Sequence, residues 1–432
     1  MKIVKKYQNI AVLSILASMA LTGQIYAQDK TEKLSFEQYI RNSVLEKSEI
    51  DVFVDPQQNS WAQYDPELGY ILGNDILTGA IDHSKYISTV RSDGARAIHM
   101  YENLPCRINT YGNSFTMCSQ VSDGETWQEY LAAHLGEPVR NYGMGGYGVY
   151  QAYRRMIREE KTENSAEYML FYIWGDDHSR SLLRCRYVTF YPNWDNRGGR
   201  RFHNNFWPHL EMNLETGQFE EKENLLPTPE SMYKMMDPDF MFENTKDDMM
   251  LQMMTYLSKN IDGLDRLRLQ KLAEILDLPP IDFTNEDQLR EDIIALRHAY
   301  AFAATQFILE KVKEFADLYN KKLLVVLFDT YKVTKSIIKD GTRYDQEIVD
   351  FLDDNHYYYF DMNVVHAEDY RSFNLSVDDY FKRYFIGHYN PAGNHFFAFS
   401  IKDKIVNWLE PKPITYRGER QNMEDFNGYL EK

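Results

Sequence analysis

Four short polar segments of the sequence carry residue types that together could transfer an acyl group. A serine supplies a nucleophile, a histidine can take its proton, and glycine-rich turns expose backbone N–H groups that stabilise an oxyanion. The segments are Gly112-Asn113-Ser114, Asn141-Tyr142-Gly143-Met144-Gly145-Gly146-Tyr147-Gly148, Gly175-Asp176-Asp177-His178 and Gly387-His388-Tyr389-Asn390-Pro391-Ala392-Gly393. This chemistry requires a fold that brings the four segments to one place.

Each of these residues also has an ordinary structural interpretation. Glycine and serine are common at strand-to-helix turns, so Ser114 could be a turn residue, and Gly146 could serve a tight turn that needs a positive φ. Asp177 could cap a helix, and His388 could cap the last helix of the chain. The elements that surround the four segments therefore have to decide between the two interpretations.

Strands and helices alternate along the part of the chain that carries these segments. Strands are predicted over residues 107–111, 138–142, 168–174, 322–328 and 356–360. Helices are predicted over residues 125–135, 149–160, 286–319 and 390–409. The alternation predicts an α/β fold, with a parallel sheet of five strands and helices on both faces. Ligands bind at the carboxyl ends of the strands in such sheets, where the four polar segments fall.

Segments of different character flank and interrupt this alternation. Residues 28–104 form a lead-in that begins with an amphipathic helix predicted over residues 36–46 and is then rich in Gly, Asp, Asn and Pro. Residues 183–319 form an insertion with a hairpin predicted at residues 211–219 and methionine-rich helices, and we expect it to build a lid or substrate wall. The predicted core is residues 105–182 and 320–410, and the predicted tail is residues 411–432.

The first 27 residues have the pattern of a cleavable secretory signal. Lys2, Lys5 and Lys6 form a basic start, residues 10–21 form an apolar run that is short for a membrane span, and Ala27 ends a suitable cleavage site. We expect a periplasmic or secreted protein with no stable membrane insertion after cleavage; a retained anchor is the alternative. The net charge of −17 argues against binding to nucleic acid or to anionic membranes.

Three cysteines follow the predicted signal: Cys106, Cys118 and Cys185. Their odd number leaves at least one thiol unpaired within the chain, and their spacing matches no zinc site, so we expect mostly buried thiols. His178 and His395, with the nearby aspartates, could suggest a metal, but histidines are common near such sheet edges. The sequence therefore predicts no metal and no cofactor.

Aromatic residues make up 14% of the chain, which suits grooves that stack on the flat apolar faces of sugars. Trp61, Trp174, Trp194 and Trp207 are candidates for such a groove. The alternative is that they pack in the core, which is the expectation for Trp174.

The order and spacing of the four polar segments resemble those of the SGNH (GDSL-like) hydrolases, which include secreted esterases and carbohydrate deacetylases. The first segment, continued by Phe115 and Thr116, resembles the family's block Gly-Asp-Ser-Phe-Thr. The other three resemble its second, third and last blocks, and Asp65-Pro66-Glu67-Leu68-Gly69-Tyr70 resembles the segment before the core in bacterial members. The resemblance covers residues 65–182 and 320–410, and the insertion only weakly.

The resemblance implies a flavodoxin-like three-layer sandwich and an ester hydrolase, with an acetyl group on a carbohydrate as the first expectation. It implies Ser114 as the nucleophile and His388 as the general base. It places the N–H groups of Ser114 and Gly146 in the oxyanion hole, with Asp177, or Asp176 after a one-residue shift, as the third member. The expected partners are small-molecule or carbohydrate esters.

Three residues depart from the family pattern. Asn113 replaces the Asp before the serine, Asp177 replaces an Asn, and Phe385 replaces the Asp three residues before the histidine. An ionised carboxylate cannot donate to an oxyanion, and loss of the acid that orients the histidine can cost several orders of magnitude in rate. A Ser–His dyad, or an acid recruited from Asp176 or Asp361, could serve instead. A non-catalytic glycan-binding protein and an O-acyltransferase are the alternative functions.

Overall fold

The computed structural model describes residues 34–58, 60–191 and 205–418 of the chain. Its strands are β1 (Ala62–Asp65), β2 (Gly69–Leu72), β3 (Asp75–Thr78), β4 (Lys85–Ser88), β5 (Ile108–Tyr111), β6 (Val139–Asn141), β7 (Tyr168–Trp174), β8 (His209–Asn213), β9 (Gln218–Lys222), β10 (Lys322–Phe328) and β11 (Tyr359–Asp361). Five of them form a parallel sheet in the spatial order β6-β5-β7-β10-β11. This order is that of a flavodoxin-like fold, so the predicted fold class is confirmed.

Helices cover both faces of the central sheet. They are α1 (Phe36–Asn42), α2 (Lys47–Val54), α3 (Ser114–Met117), α4 (Trp127–Leu135), α5 (Val149–Glu159), α6 (Asp177–Arg180), α7 (Tyr187–Phe190), α8 (Pro238–Thr245), α9 (Met249–Lys259), α10 (Arg266–Ile275), α11 (Glu286–Leu318), α12 (Lys335–Asp340), α13 (Gln346–Asp354), α14 (Met362–Tyr370), α15 (Val377–Tyr384) and α16 (Pro391–Trp408). Together with the sheet they form three layers.

Alternate side chains of β7 show how the layers are held together. Leu170 and Tyr172 pack with apolar residues of α4 and α16, whereas Met169 and Phe171 pack with those of α5, α11 and α13. All four are fully buried or nearly so. A strand that is apolar on both faces belongs inside a covered parallel sheet, which explains the continuous apolar run in the sequence.

The first helical segment differs from its prediction. The sequence predicts one helix over residues 36–46, but α1 ends at Asn42 and α2 begins at Lys47. Glu46 has an extended backbone and forms a capping box with Glu49, so it starts a second helix. The predicted single helix is therefore wrong at residues 43–46.

The lead-in and the insertion pack together on the α5 and α11 side of the sheet. Apolar residues of both join one continuous core cluster with that face. The insertion contains the predicted hairpin, whose strands β8 and β9 begin and end slightly beyond the predicted range, and the long helix α11, which ends one residue before the predicted bound. Trp207 of the insertion is fully buried, whereas Trp194 lies outside the described residues.

Within the described residues, no helix has both the length and the apolar character needed to cross a bilayer. The predicted signal at residues 1–27 lies outside the described residues, as does most of the predicted tail. Cys118 and Cys185 are buried, Cys106 is half-buried, and all three are free thiols. Burial raises the pKa of Cys118 and of Cys185 to about 12, so neither is a reactive thiolate.

Candidate active site

Ser114 and His388 meet at the carboxyl edge of the sheet, although 274 positions separate them in the chain. Ser114 follows β5, and His388 lies in the loop between α15 and α16. The His388 Nε2 atom lies 2.7 Å from the Ser114 Oγ atom, and both side chains are half-buried. The structure thus brings together the two residues that the sequence predicts as nucleophile and base.

The turn after β5 presents the Ser114 hydroxyl. Gly112 has a φ of +151°, and a Cβ atom there would lie 2.6 Å from the carbonyl oxygen of Tyr172 on the neighbouring strand, so only glycine fits. Asn113 then caps α3, because its Oδ1 accepts a hydrogen bond of 2.7 Å from the N–H of Phe115. These constraints hold Ser114 at the first position of the helix.

The helix after Ser114 is shorter than the sequence predicts. Helical backbone is predicted over residues 115–120, whereas α3 ends earlier because Cys118 (φ +63°) and Gln120 (φ +73°) adopt left-handed conformations. Arg96 is fully buried and fixes this bend by donating hydrogen bonds to three carbonyl oxygens of residues 117–121. The bend directs the Gln120 side chain to the histidine.

Gln120 is the second hydrogen-bond partner of the His388 ring. Its Oε1 lies 3.1 Å from His388 Nδ1 and accepts from the backbone N–H of the same residue at 2.7 Å. Its Nε2 donates to the carbonyl oxygens of Gly79 and Ile386, at 2.7 and 3.2 Å. These two acceptors fix the orientation of the amide, so Nδ1 of His388 carries the proton and Nε2 is free to accept one from Ser114.

No carboxylate among the described residues forms a hydrogen bond with His388. Phe385 is buried in an aromatic cluster. Asp361 is paired with the half-buried Arg343, and Asp176 with Lys332, so neither acid considered from the sequence contacts the ring. Gln120 occupies the place that an orienting acid would take in a serine–histidine–acid triad.

Sequence reasoning missed Gln120, which lies 268 positions from His388 in the chain. Its side chain is a neutral amide, and its left-handed backbone depends on hydrogen bonds from the distant lead-in. One signal could have pointed to it: it closes the same short stretch that carries Ser114.

The environment of His388 favours the neutral ring. Burial, with a smaller contribution from the Arg180 guanidinium, lowers the pKa of His388 to about 4. A neutral amide at Nδ1 does not oppose this shift, whereas a carboxylate would. The ring is therefore a proton acceptor over a wide pH range, but a weak base.

Two backbone N–H groups lie beside the serine without a protein acceptor. In the described part of the chain, neither the N–H of Ser114 nor that of Gly146 donates a hydrogen bond. Gly146 has a φ of +82°, and the loop that contains it is held to the serine turn by a 3.0 Å hydrogen bond from the N–H of Met144 to the carbonyl oxygen of Gly112. Both groups are suited to stabilise an oxyanion.

Asp177 is buried behind the serine and does not line the pocket that contains Ser114. Its carboxylate accepts hydrogen bonds from the side-chain amide of Asn113, from the N–H of Trp174 at 2.9 Å and from Arg180 at 2.7 Å. Burial raises the pKa of Asp177 to about 7, against the attraction of Arg180. Asp177 thus ties the serine turn to the end of β7, and its oxyanion role stays a prediction.

A pocket of about 350 Å³ opens above Ser114. The described residues that line it are Trp61, Ser114, Phe115, Ser119, Gly145, Gly146, Trp174, Asp176, Arg180, Arg186, Phe190, Tyr331, Gly387 and His388. Two of the four tryptophans considered from the sequence are among them, and two of the residues belong to the insertion. The pocket therefore combines aromatic walls with two guanidinium groups.

The two histidines considered for a metal lie on opposite faces of the sheet. His178 hydrogen-bonds to Thr305 of α11, whereas His395 packs its ring against Tyr130 of α4. Over residues 34–58, 60–191 and 205–418, no group of three or more His, Cys, Asp or Glu side chains is arranged to hold a metal ion.

No known family profile matches this sequence, and no curated protein is significantly similar to it.

Proposed function

We propose that this protein is a serine ester hydrolase of the SGNH type. The observation that carries the proposal is the 2.7 Å hydrogen bond between His388 Nε2 and Ser114 Oγ, with Gln120 fixing the ring tautomer. Two departures from the family pattern, taken together, also support the proposal. The family has Asp at the position of Asn113 and Asn at the position of Asp177, and in this chain the two side chains hydrogen-bond to each other.

Acylation begins when the Ser114 oxygen attacks the carbonyl carbon of the ester and its proton passes to His388 Nε2. The negative oxygen of the tetrahedral intermediate accepts hydrogen bonds from the N–H groups of Ser114 and Gly146. The intermediate collapses when the C–O bond to the alcohol breaks, and His388 returns the proton to the departing alkoxide. The acyl group is then bound to Ser114 as an ester.

Deacylation repeats these steps with water. His388 Nε2 takes a proton from the attacking water, the same N–H groups hold the oxyanion, and the proton returns to Ser114 as the acid leaves. Gln120 keeps the Nδ1 proton in place throughout. Because it is neutral, it stabilises the imidazolium less than a carboxylate would.

The proposed substrate is an O-acyl group, in the first instance acetyl, on a carbohydrate outside the cytoplasm. The predicted secretory signal supports the location. The aromatic side chains of Trp61, Trp174, Phe190 and Tyr331 line the pocket, and sugar rings pack against apolar aromatic side chains. The alternative is transfer of the acyl group to a sugar hydroxyl instead of to water. Analysis of the products formed in the presence of added glycan distinguishes this transfer from hydrolysis.

The direct test of this function is covalent labelling with a fluorophosphonate probe. Ser114 Oγ is expected to displace fluoride from phosphorus, and peptide mass spectrometry should find the adduct on the peptide that contains Ser114. Ser114→Ala should give no adduct, with Ser258→Ala, an exposed serine of α9, as the matched control. Glycan binding without any adduct on Ser114 would favour a non-catalytic protein.

Gln120→Ala is expected to lower kcat about 10- to 100-fold, less than the removal of a triad carboxylate costs. The wild-type enzyme should keep its activity until the pH falls toward 4, because His388 must be neutral to accept a proton and its pKa is about 4. Gln120→Glu places a negative charge at Nδ1 and raises the pKa of His388. The acidic limb of the kcat/KM–pH profile of Gln120→Glu should therefore move to higher pH than in the wild-type enzyme. A limb at the wild-type pH would contradict the role given to Gln120.

A further inference from the structure

Arg180 is a buried residue of the pocket whose hydrogen-bonding capacity is only partly used. Its side chain is 8% exposed. Its Nη1 group donates to Asp177 at 2.7 Å and to the carbonyl oxygen of Tyr147 at 3.3 Å. Nε has no hydrogen-bond partner, and Nη2 lies 4.0 Å from the nearest carboxylate oxygen, that of Asp176. Nε has almost no accessible surface, so Nη2 is the nitrogen of this guanidinium that a ligand can reach and that makes no hydrogen bond within the described chain.

A guanidinium N–H group without a partner in a substrate pocket favours an anionic ligand. A charged N–H donor forms stronger hydrogen bonds with a carboxylate or sulfate oxygen than a neutral donor does. A ligand oxygen at Nη2 would satisfy this donor of a largely buried side chain. The Trp174 ring, 5.5 Å below the guanidinium carbon, restricts its orientation.

The charges around the pocket also favour an anion. Arg180 and Arg186 both line it, and the Arg186 guanidinium lies over the ring of Phe190. Burial and the nearby positive charge of Arg180 lower the pKa of Arg186 to about 9. Asp176 is the one carboxylate among the described lining residues, and Lys332 pairs with it at 2.9 Å. Against the net charge of −17 for the chain, this pocket is locally positive.

We infer that the Nη2 group of Arg180 binds an acidic group of the substrate, so that the preferred ester is an acylated acidic sugar. The inference rests on the proposed function and adds the substrate class to it. The shared chemistry is an anionic oxygen that accepts a hydrogen bond from the guanidinium, as in a carboxylate or a sulfate. Arg180 would anchor the sugar while Ser114 attacks the acyl group.

The decisive comparison uses an O-acetylated hexuronic acid and the same compound with its carboxylate converted to a carboxamide. The wild-type enzyme is expected to favour the acid in kcat/KM by about 10- to 100-fold. Comparing kcat/KM for an O-acetylated sugar sulfate with that for its unsulfated parent distinguishes a carboxylate site from a sulfate site. A preference for either acidic compound supports the inference. Equal kcat/KM values for each acidic compound and its neutral partner would overturn the inference. Release of acetate from the carboxamide compound would by itself still support the esterase function.

Two further measurements keep the test independent of folding and turnover. Calorimetry with Ser114→Ala should show tighter binding of the acid than of the carboxamide, and equal affinities would overturn the inference. Arg180→Lys keeps a positive charge beside Asp177 but removes the Nη2 group, so the ratio of kcat/KM for the acid to kcat/KM for the carboxamide should fall at least about tenfold. Arg184→Lys, a matched change at an arginine outside the pocket, should keep the ratio. An unchanged ratio in Arg180→Lys would overturn the inference, because Arg180 would then only support Asp177.

Discussion

Ser114→Ala is expected to lower kcat for 4-nitrophenyl acetate about 10⁴- to 10⁶-fold, the range found when the nucleophile of a serine hydrolase is removed. The substitution removes the atom that forms the acyl-enzyme and leaves His388 without a hydroxyl to deprotonate. The change removes one oxygen from a half-buried side chain, so the fold should survive. Steady-state release of nitrophenolate by the purified variant measures the effect.

The control for this change has to separate loss of chemistry from loss of structure. Ser258→Ala removes an exposed hydroxyl on α9 and should keep the wild-type rate. The thermal unfolding midpoint of Ser114→Ala should stay within a few degrees of the wild-type value, because alanine at the first position of α3 suits a helix. A Ser114→Ala enzyme that still releases nitrophenolate at the wild-type rate would exclude Ser114 as the nucleophile.

The fold could be predicted from the sequence because the apolar pattern alone determines most of it. The runs that became β7 and β10 are buried on both faces, and only a covered parallel sheet satisfies such strands. The sequence pattern also predicts the hairpin β8–β9 and the helix α11. It does not predict the break between α1 and α2, because the capping box at Glu46 competes with a helical pattern that continues through it.

The site could be predicted only where a single residue type signals its role. Ser114 follows a strand and His388 lies in a loop between two helices, both in segments that contain glycine, and the two side chains do meet. Gln120 could not be found this way, because its role depends on Arg96 bending the chain and on two carbonyl oxygens orienting the amide. The role of Arg180 could not be predicted for a similar reason, since only the structure reveals that its Nη2 group is left without a partner.

His388→Ala should have an effect close to that of Ser114→Ala, about 10⁴- to 10⁶-fold on kcat. The ring takes the serine proton through Nε2, and the described residues place no other base within hydrogen-bonding distance of Ser114 Oγ. Because the substitution leaves a cavity beside Gln120, added imidazole should partly restore turnover. That rescue is the readout that a structural role for the histidine would not produce.

The rescue also reports the tautomer that Gln120 selects. Imidazole bound in the cavity can donate one N–H to the Gln120 oxygen and present its free nitrogen to Ser114, whereas a ring methylated on one nitrogen can do only one of the two. We expect rescue by imidazole to exceed rescue by N-methylimidazole. His395→Ala, at an exposed histidine of α16, is the matched control and should need no rescue. If His388→Ala turned over substrate as fast as the His395→Ala control, the serine would be activated by some group other than this ring.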